Sequence, residues 1–209
     1  MKKLYGFVAA LFLSGCVSVQ TQVEAYSEVP SDIEPKTVYI AAFSGDDATS
    51  MAWRQSAGAL ATVLSEKGFK AVSSKKDARL VAFFGYAVDK GQIVTSQYSI
   101  PQWGITGYSG ANTYGSFYGN SYSSTTTLNP TYGVTGYSTG TRTEKLYTRS
   151  VKVVMMDQKT KKRVFEGLGV STGSCAAFGS VAPQIIGAVL SEFPKGRVGT
   201  VTLPLDGSC

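Results

Sequence analysis

Residues 37–72, TVYIAAFSGDDATSMAWRQSAGALATVLSEKGFKAV, decide the fold. Thr37 to Phe43 is a β-rich apolar run closed by Ser44-Gly45-Asp46-Asp47, which reads as a buried strand and a turn. From Met51 to Lys67 apolar residues recur at helical spacing, so that Trp53, Ala57, Leu60 and Leu64 share one face. Thr49 or Ser50 is placed to cap the helix start, and Gly68 suits a left-handed exit. Phe69 to Val72 is a short second strand. A helix crossover of this kind can set the two strands it joins parallel.

Working outward, Leu80-Val81-Ala82-Phe83-Phe84-Gly85-Tyr86-Ala87-Val88 reads as a long central strand reaching toward Ile100. Thr141 to Met156 alternates polar and apolar residues around Leu146, Val151, Val153 and Met155. A polar turn, Asp157 to Lys162, then leads into Arg163 to Val170, which predicts a hairpin. In this reading the basic run Lys159-Thr160-Lys161-Lys162-Arg163 is a solvated turn. A second helix is predicted over about 177–193, with Ile186, Val189, Leu190 and Phe193 inward, Pro183 starting or kinking it, and Pro194 past its end. Val198 to Leu203 reads as a final edge strand. The order predicts an α+β domain over 37–209, with a mainly antiparallel sheet, two helices packed on one face, and a long Tyr/Gly-rich hairpin or loop inserted at about 91–141.

That insertion holds the oddest sequence in the chain. From Gly91 to Thr141 there is not one Asp, Glu, Lys or Arg, although 16% of the chain is charged. The phrase Gly104-Ile105-Thr106-Gly107-Tyr108-Ser109-Gly110 returns as Gly133-Val134-Thr135-Gly136-Tyr137-Ser138-Thr139-Gly140. Two readings follow: the copies are opposing arms of one hairpin with its tip near 115–129, or the segment is a loose polar loop grown by duplication. Rigid aromatic rings among small hydrogen-bonding residues suit an adaptable binding surface, because they offer area while losing little side-chain entropy. Trp103, Tyr108, Tyr114, Phe117, Tyr118, Tyr122, Tyr132 and Tyr137 are therefore the candidate partner-binding residues. Tyrosine and tryptophan faces also stack on sugar rings, so peptidoglycan is a candidate partner beside an envelope protein.

The chain opens MKKLYGFVAALFLSGC: two lysines, a short apolar run, then small residues before Cys16. This reads as a signal peptide over 1–15, since the run is too short to span a bilayer. Leu13-Ser14-Gly15-Cys16 resembles a bacterial lipobox, which implies acylation of Cys16 and a membrane anchored through lipid. Val17, where aspartate would mark inner-membrane retention, points to the outer membrane with the domain facing the periplasm. Residues 16–36, polar and carrying Pro30 and Pro35, read as a lipidated tether. Of three cysteines this leaves Cys175 and Cys209, expected to pair as a disulfide in an oxidising compartment. Closing that loop of roughly 35 residues contributes about 4 kcal/mol in the chain-entropy model.

Glu66-Lys67-Gly68-Phe69, Asp77-Ala78-Arg79-Leu80-Val81, the hairpin Asp157 to Gly167, and Phe193-Pro194-Lys195 together resemble the bacterial lipoprotein family catalogued as domain of unknown function 4136. The resemblance covers about Thr37 to Pro194. It implies a lipobox, a small α+β domain, and a Tyr/Gly/Thr-rich loop between two long central strands. The family brings no established activity, so it supplies no catalytic residues.

The residues themselves argue against an enzyme. The chain contains no histidine, so a nucleophilic Cys175 lacks its usual base. Asp46-Asp47 sits ahead of a helix, where carboxylates are favoured electrostatically, and makes a weak metal site. Gly167-Leu168-Gly169 lacks the rest of a dinucleotide fingerprint, and Gly173-Ser174-Cys175 lacks the flanks of a nucleophile elbow. No cofactor or metal is expected. The formal charge of +6 falls by two when Lys2 and Lys3 leave with the leader, a mild value that gives no reason to expect nucleic acid. The expected role is noncatalytic binding or scaffolding in the cell envelope. The alternatives are an envelope hydrolase using Asp46 or Asp47, and an oligomeric secretion or pore component.

Overall fold

The computed structural model describes residues 18–205. They fall into two compact units, one formed by the chain up to Gln92 together with the chain from Lys145 onward, the other by Ile93–Glu144. The described residues form eight strands and two α-helices: β1 (Ser18–Ser27), β2 (Thr37–Ala42), α1 (Met51–Glu66), β3 (Lys70–Ala71), β4 (Leu80–Val88), β5 (Gln92–Tyr118), β6 (Ser121–Asp157), β7 (Arg163–Gly173), α2 (Ala182–Val189) and β8 (Arg197–Pro204). The strands order as β3-β2-β4-β6-β7-β1-β8, with β5 pairing β6 off that path.

The expectation of a mainly antiparallel α+β sheet is corrected. The sheet is mixed and strands dominate the chain, because β2 is parallel to both of its neighbours, β3 through Thr37↔Lys70 and β4 through Val38↔Leu80 to Ala42↔Phe84. Helix α1 returns the chain to the starting end of β2. After β3, the link through the 3₁₀ turn Lys75–Asp77 returns it there again, so β4 repeats the direction on the other side. The remaining pairings in the larger unit, β4 with β6, β6 with β7, β7 with β1 and β1 with β8, are antiparallel.

Both helices pack on the sheet face that carries Val38, Leu80, Phe84, Val151, Val153, Met155 and Phe165. Helix α1 contributes Ala57, Leu60, Val63 and Leu64, and α2 contributes Ile185, Ile186 and Val189. Glycines let α2 come close: a Cβ on Gly167 would stand 2.6 Å from Val189 Cγ1, and one on Gly169 2.5 Å from Val189 Cγ2. The Gly-Leu-Gly of β7 is thus a seat for a helix. Phe193 closes this layer edge-on against Phe69 and Phe165 at 5.1 and 5.3 Å.

Several predicted elements shift. Within the range read as a tether, Ser18–Ser27 forms β1, paired on both sides and burying Val19, Thr21, Val23 and Ala25 in strict alternation. The helix predicted over 177–193 is confined to Ala182–Val189, with a 3₁₀ turn at Phe178–Ser180 before it. Pro183 lies in its first turn, where a missing N–H leaves no bond unmade. Gly68 leaves α1 at φ +84°, the left-handed exit its type favours. β8 is the expected edge strand. Among the described residues no helix is long and apolar enough to cross a membrane.

A candidate interaction surface on the 93–144 ribbon

The unit 93–144 is one two-stranded ribbon, formed by β5 and the first part of β6. Its tip is the two-residue turn Gly119-Asn120, with Gly119 at φ +61°, a region closed to most side chains. Threonine and serine rungs cross the ribbon. Thr113 and Thr126 hydroxyls lie 2.9 Å apart, Thr95 and Thr143 hydroxyls 3.1 Å, and Gln102 Nε2 donates to Ser138 Oγ at 2.8 Å.

The repeated phrase pairs with itself. A Cβ on Gly104 would stand 3.1 Å from Thr135 Cγ2, and one on Gly133 would stand 3.0 Å from Thr106 Cγ2. Thr135 Oγ1 donates to the Gln102 carbonyl at 3.2 Å, and Thr106 Oγ1 to the Thr131 carbonyl at 3.3 Å. Each threonine therefore covers the glycine of the opposite copy and bonds to the carbonyl two residues before it. Tyrosines use other glycines in the same way: Tyr122 lies across Gly115, and Tyr98 across Gly140. The composition that looks loose in sequence is a set of flat seats for rings and threonines.

Every aromatic residue singled out from the sequence is on this ribbon and faces solvent. Trp103, Tyr108, Tyr114, Phe117, Tyr118, Tyr122, Tyr132 and Tyr137 are between 57% and 93% exposed. Phe117 touches Tyr122 at 4.7 Å between ring centres. By the two-residue period of a strand, one face then carries Trp103, Ile105 and Phe117 beside Tyr122, Leu128, Tyr132 and Val134. Tyr108, Tyr114 and Tyr118 share the opposite face with Thr106. Sequence reasoning missed Ile93, Tyr98, Ile105, Leu128 and Val134, all exposed. Parity along the strands is the signal that finds most of them, and it becomes usable only once the segment is known to be extended.

The other sequence candidates, and two further polar residues, Asp89 and Arg149, are structural in their surroundings. Asp47 Oδ1 accepts from Thr49 Oγ1 at 2.6 Å and from Thr49 N–H at 2.9 Å, and these bonds hold its carboxyl below the usual range. Ser50 precedes α1 without a capping bond from its own side chain. Asp89 Oδ1 accepts from the N–H groups of Thr148 at 3.0 Å and Gly91 at 2.9 Å, which lowers its pKa as well. The basic run after Asp157 is a turn: Asp157 Oδ1 accepts from Lys159 N–H at 2.7 Å and Thr160 N–H at 3.3 Å, and Lys161 turns at φ +59°. Arg149 is buried, donates to the Cys175 carbonyl at 3.3 Å and Ser171 Oγ at 3.4 Å, and is lowered in pKa by its burial. Among the described residues no three His, Cys, Asp or Glu side chains come together as a metal would require. Cys175 is disulfide-bonded. Cys16 and Cys209 lie outside the described residues.

A family model described as Domain of unknown function (DUF4136) matches residues 21–195. The chain belongs to this family. The DUF4136 match begins inside β1, takes in the ribbon, and ends just beyond α2. Arg79 and Asp157, both in stretches that carried the resemblance, meet at 2.6 Å and tie the start of β4 to the β6–β7 turn. No curated protein matches the chain. Among solved structures it is similar to a PDZ domain protein from Parabacteroides distasonis, with 13% identity, TM-score 0.42, and coverage of 90% of this chain and 39% of that one. It is also similar to the PelC dodecamer from Paraburkholderia phytofirmans, with 18% identity, TM-score 0.42, and coverage of 82% and 95%. Likenesses this distant carry no argument about function.

Proposed function

We propose that this DUF4136 protein is a noncatalytic, lipid-anchored component of the cell envelope, held through Cys16 in the outer membrane and facing the periplasm, which binds a partner through the 93–144 ribbon. The observation that carries the reading is the exposure of eight aromatic side chains on one ordered ribbon with no charge from Gly91 to Thr141. Exposed apolar surface beyond scattered single side chains commonly marks a site of interaction. The leader and lipobox-like Leu13-Ser14-Gly15-Cys16 support the address.

Deleting 102–140 tests the role. The shortened protein is expected to stay folded and lipidated while losing its partner in a crosslinking pulldown. An unchanged set of crosslinked partners overturns the binding role. Cosedimentation of the purified protein with peptidoglycan sacculi separates a glycan partner from a protein one. Mass spectrometry of the protein from membranes is expected to show Cys16 diacylglyceryl-modified and the leader removed.

A further inference from the structure

We infer that the partner of the ribbon is a second copy of this chain, with the outer edge of β5 in one copy pairing antiparallel with the outer edge of β6 in the next. The inference rests on the ribbon being a binding element, as proposed above, and names what it binds.

The ribbon is incomplete by itself. Among the described residues β5 pairs with β6 alone, so along 93–118 one row of backbone N–H and C=O groups has no strand beside it. The same holds for β6 before Glu144, because its pairings with β4 and β7 begin only at Arg149 and Tyr147. Nearly every side chain of the ribbon is exposed, with Gly104 and Gly107 the only half-buried positions of β5. A two-stranded ribbon with no packed layer is marginal in water, and a third strand is what ordinarily secures it. Proteins that keep such edges apart put charges on them. Here Asp89 and Lys90 stand just before the ribbon, Arg142, Glu144 and Lys145 stand at its end, and nothing charged lies between.

The occupant follows from the repeat. The first three residues of the phrase, Gly104-Ile105-Thr106, already face Gly133-Val134-Thr135 of its copy across the hairpin, threonine over glycine in both directions. A second molecule brings the same phrase. Its β6 copy laid against the free edge of β5 can set Gly133-Val134-Thr135 opposite Gly104-Ile105-Thr106 again, now through the backbone groups of alternate residues, between chains of identical sequence and with no charge to oppose it. Because β5 and β6 run in opposite directions, this contact sets neighbouring ribbons side by side, pointing the same way. It is a head-to-tail contact, which closes into a ring or continues as a filament.

The test uses the full chain purified from membranes in detergent. Light scattering is expected to give a mass of at least two chains. Ile105→Lys with Ala111→Lys, two charges on β5 that spare Gly104 and Thr135, is expected to return it to one chain with an unchanged melting curve for the larger unit. Dityrosine crosslinking of a mixture of heavy-isotope and unlabelled chains is expected to join a peptide from 93–118 of one to a peptide from 121–144 of the other. A single-chain mass for the natural sequence, or an assembly indifferent to both lysines and free of mixed crosslinks, overturns the inference. A single-chain mass together with a pulldown that still depends on 102–140 overturns self-pairing and leaves the binding role standing. An assembly and a pulldown that both survive deletion of 102–140 overturn both, because the self-pairing runs through the deleted strands.

Discussion

Thr135 lies over Gly104 as Thr106 lies over Gly133, so the two copies of one phrase hold each other by the same contact made twice. Both threonines also donate to a carbonyl of the opposite strand, at 3.2 and 3.3 Å. Replacing both with valine keeps the shape and removes both donors. An exposed bond of this kind contributes at most about 0.5 to 1.5 kcal/mol. Amide exchange within 93–144 is therefore expected to quicken by about 2- to 10-fold in Thr106→Val/Thr135→Val, with exchange in β4 and β7 unchanged. Exchange that does not change removes the threonine rungs from the account of the ribbon.

Thr21 is fully buried in β1, and its hydroxyl has no hydrogen-bond partner. A buried donor without a partner costs about 1 to 3 kcal/mol. Valine has the same shape without the hydroxyl. Thr21→Val is expected to raise the unfolding free energy by about 1 kcal/mol, measured by urea denaturation, and a clear loss would mean that the hydroxyl is satisfied in solution.

Gly169 sits under Val189 of α2, with no room for a side chain. Gly169→Val is expected to destabilise the protein by about 1 to 3 kcal/mol or more, because α2 must lift from the sheet to admit it. Its neighbour Leu168 is exposed on the opposite face, and Leu168→Ala is expected to stay within about 0.5 kcal/mol of the natural protein. Equal effects at both positions would contradict the seat.

Asp157 is buried against Arg79, with side-chain exposures of 3% and 13%. Burial pushes its carboxyl up, and the bonds from Arg79, Lys159 N–H and Thr160 N–H outweigh that and hold it below the ordinary value. A folded-state pKa below the unfolded one adds stability that is present above the unfolded value, about 3.9, and is lost as pH falls through the folded one. The natural protein is therefore expected to melt higher than Asp157→Asn at neutral pH, with the gap narrowing below about pH 4. Arg79→Ala, which leaves a buried carboxylate without its cation, is expected to cost about 3 to 5 kcal/mol at neutral pH. A gap that does not depend on pH would show that the carboxylate carries no linkage.

Local pattern made much of the larger unit legible. The apolar run 80–88 became β4, which stops at Val88 short of the expected reach toward Ile100; of the face Trp53, Ala57, Leu60, Leu64 the last three became the buried side of α1 with Trp53 half-buried, and the polar turn after Asp157 joined two strands as expected. β1 was also written in the sequence, since Val19, Thr21, Val23 and Ala25 alternate with polar residues, yet prolines and polarity nearby made the stretch read as a tether. The exposed aromatic set was legible from composition alone. Its two faces were not, because parity along a strand says nothing until the strand and its partner are fixed.

By itself, the sequence determined which segments bury a face, where the charges stop, and which phrase is written twice; these are properties of neighbours in the chain. The tertiary structure alone decided that β2 is parallel to β4 as well as to β3, that the Gly-Leu-Gly of β7 is a seat for α2, and that the two phrases meet threonine over glycine. Those depend on the direction and offset with which distant segments meet. Spacing along the chain limits that offset, and only the packing of side chains against one another selects it.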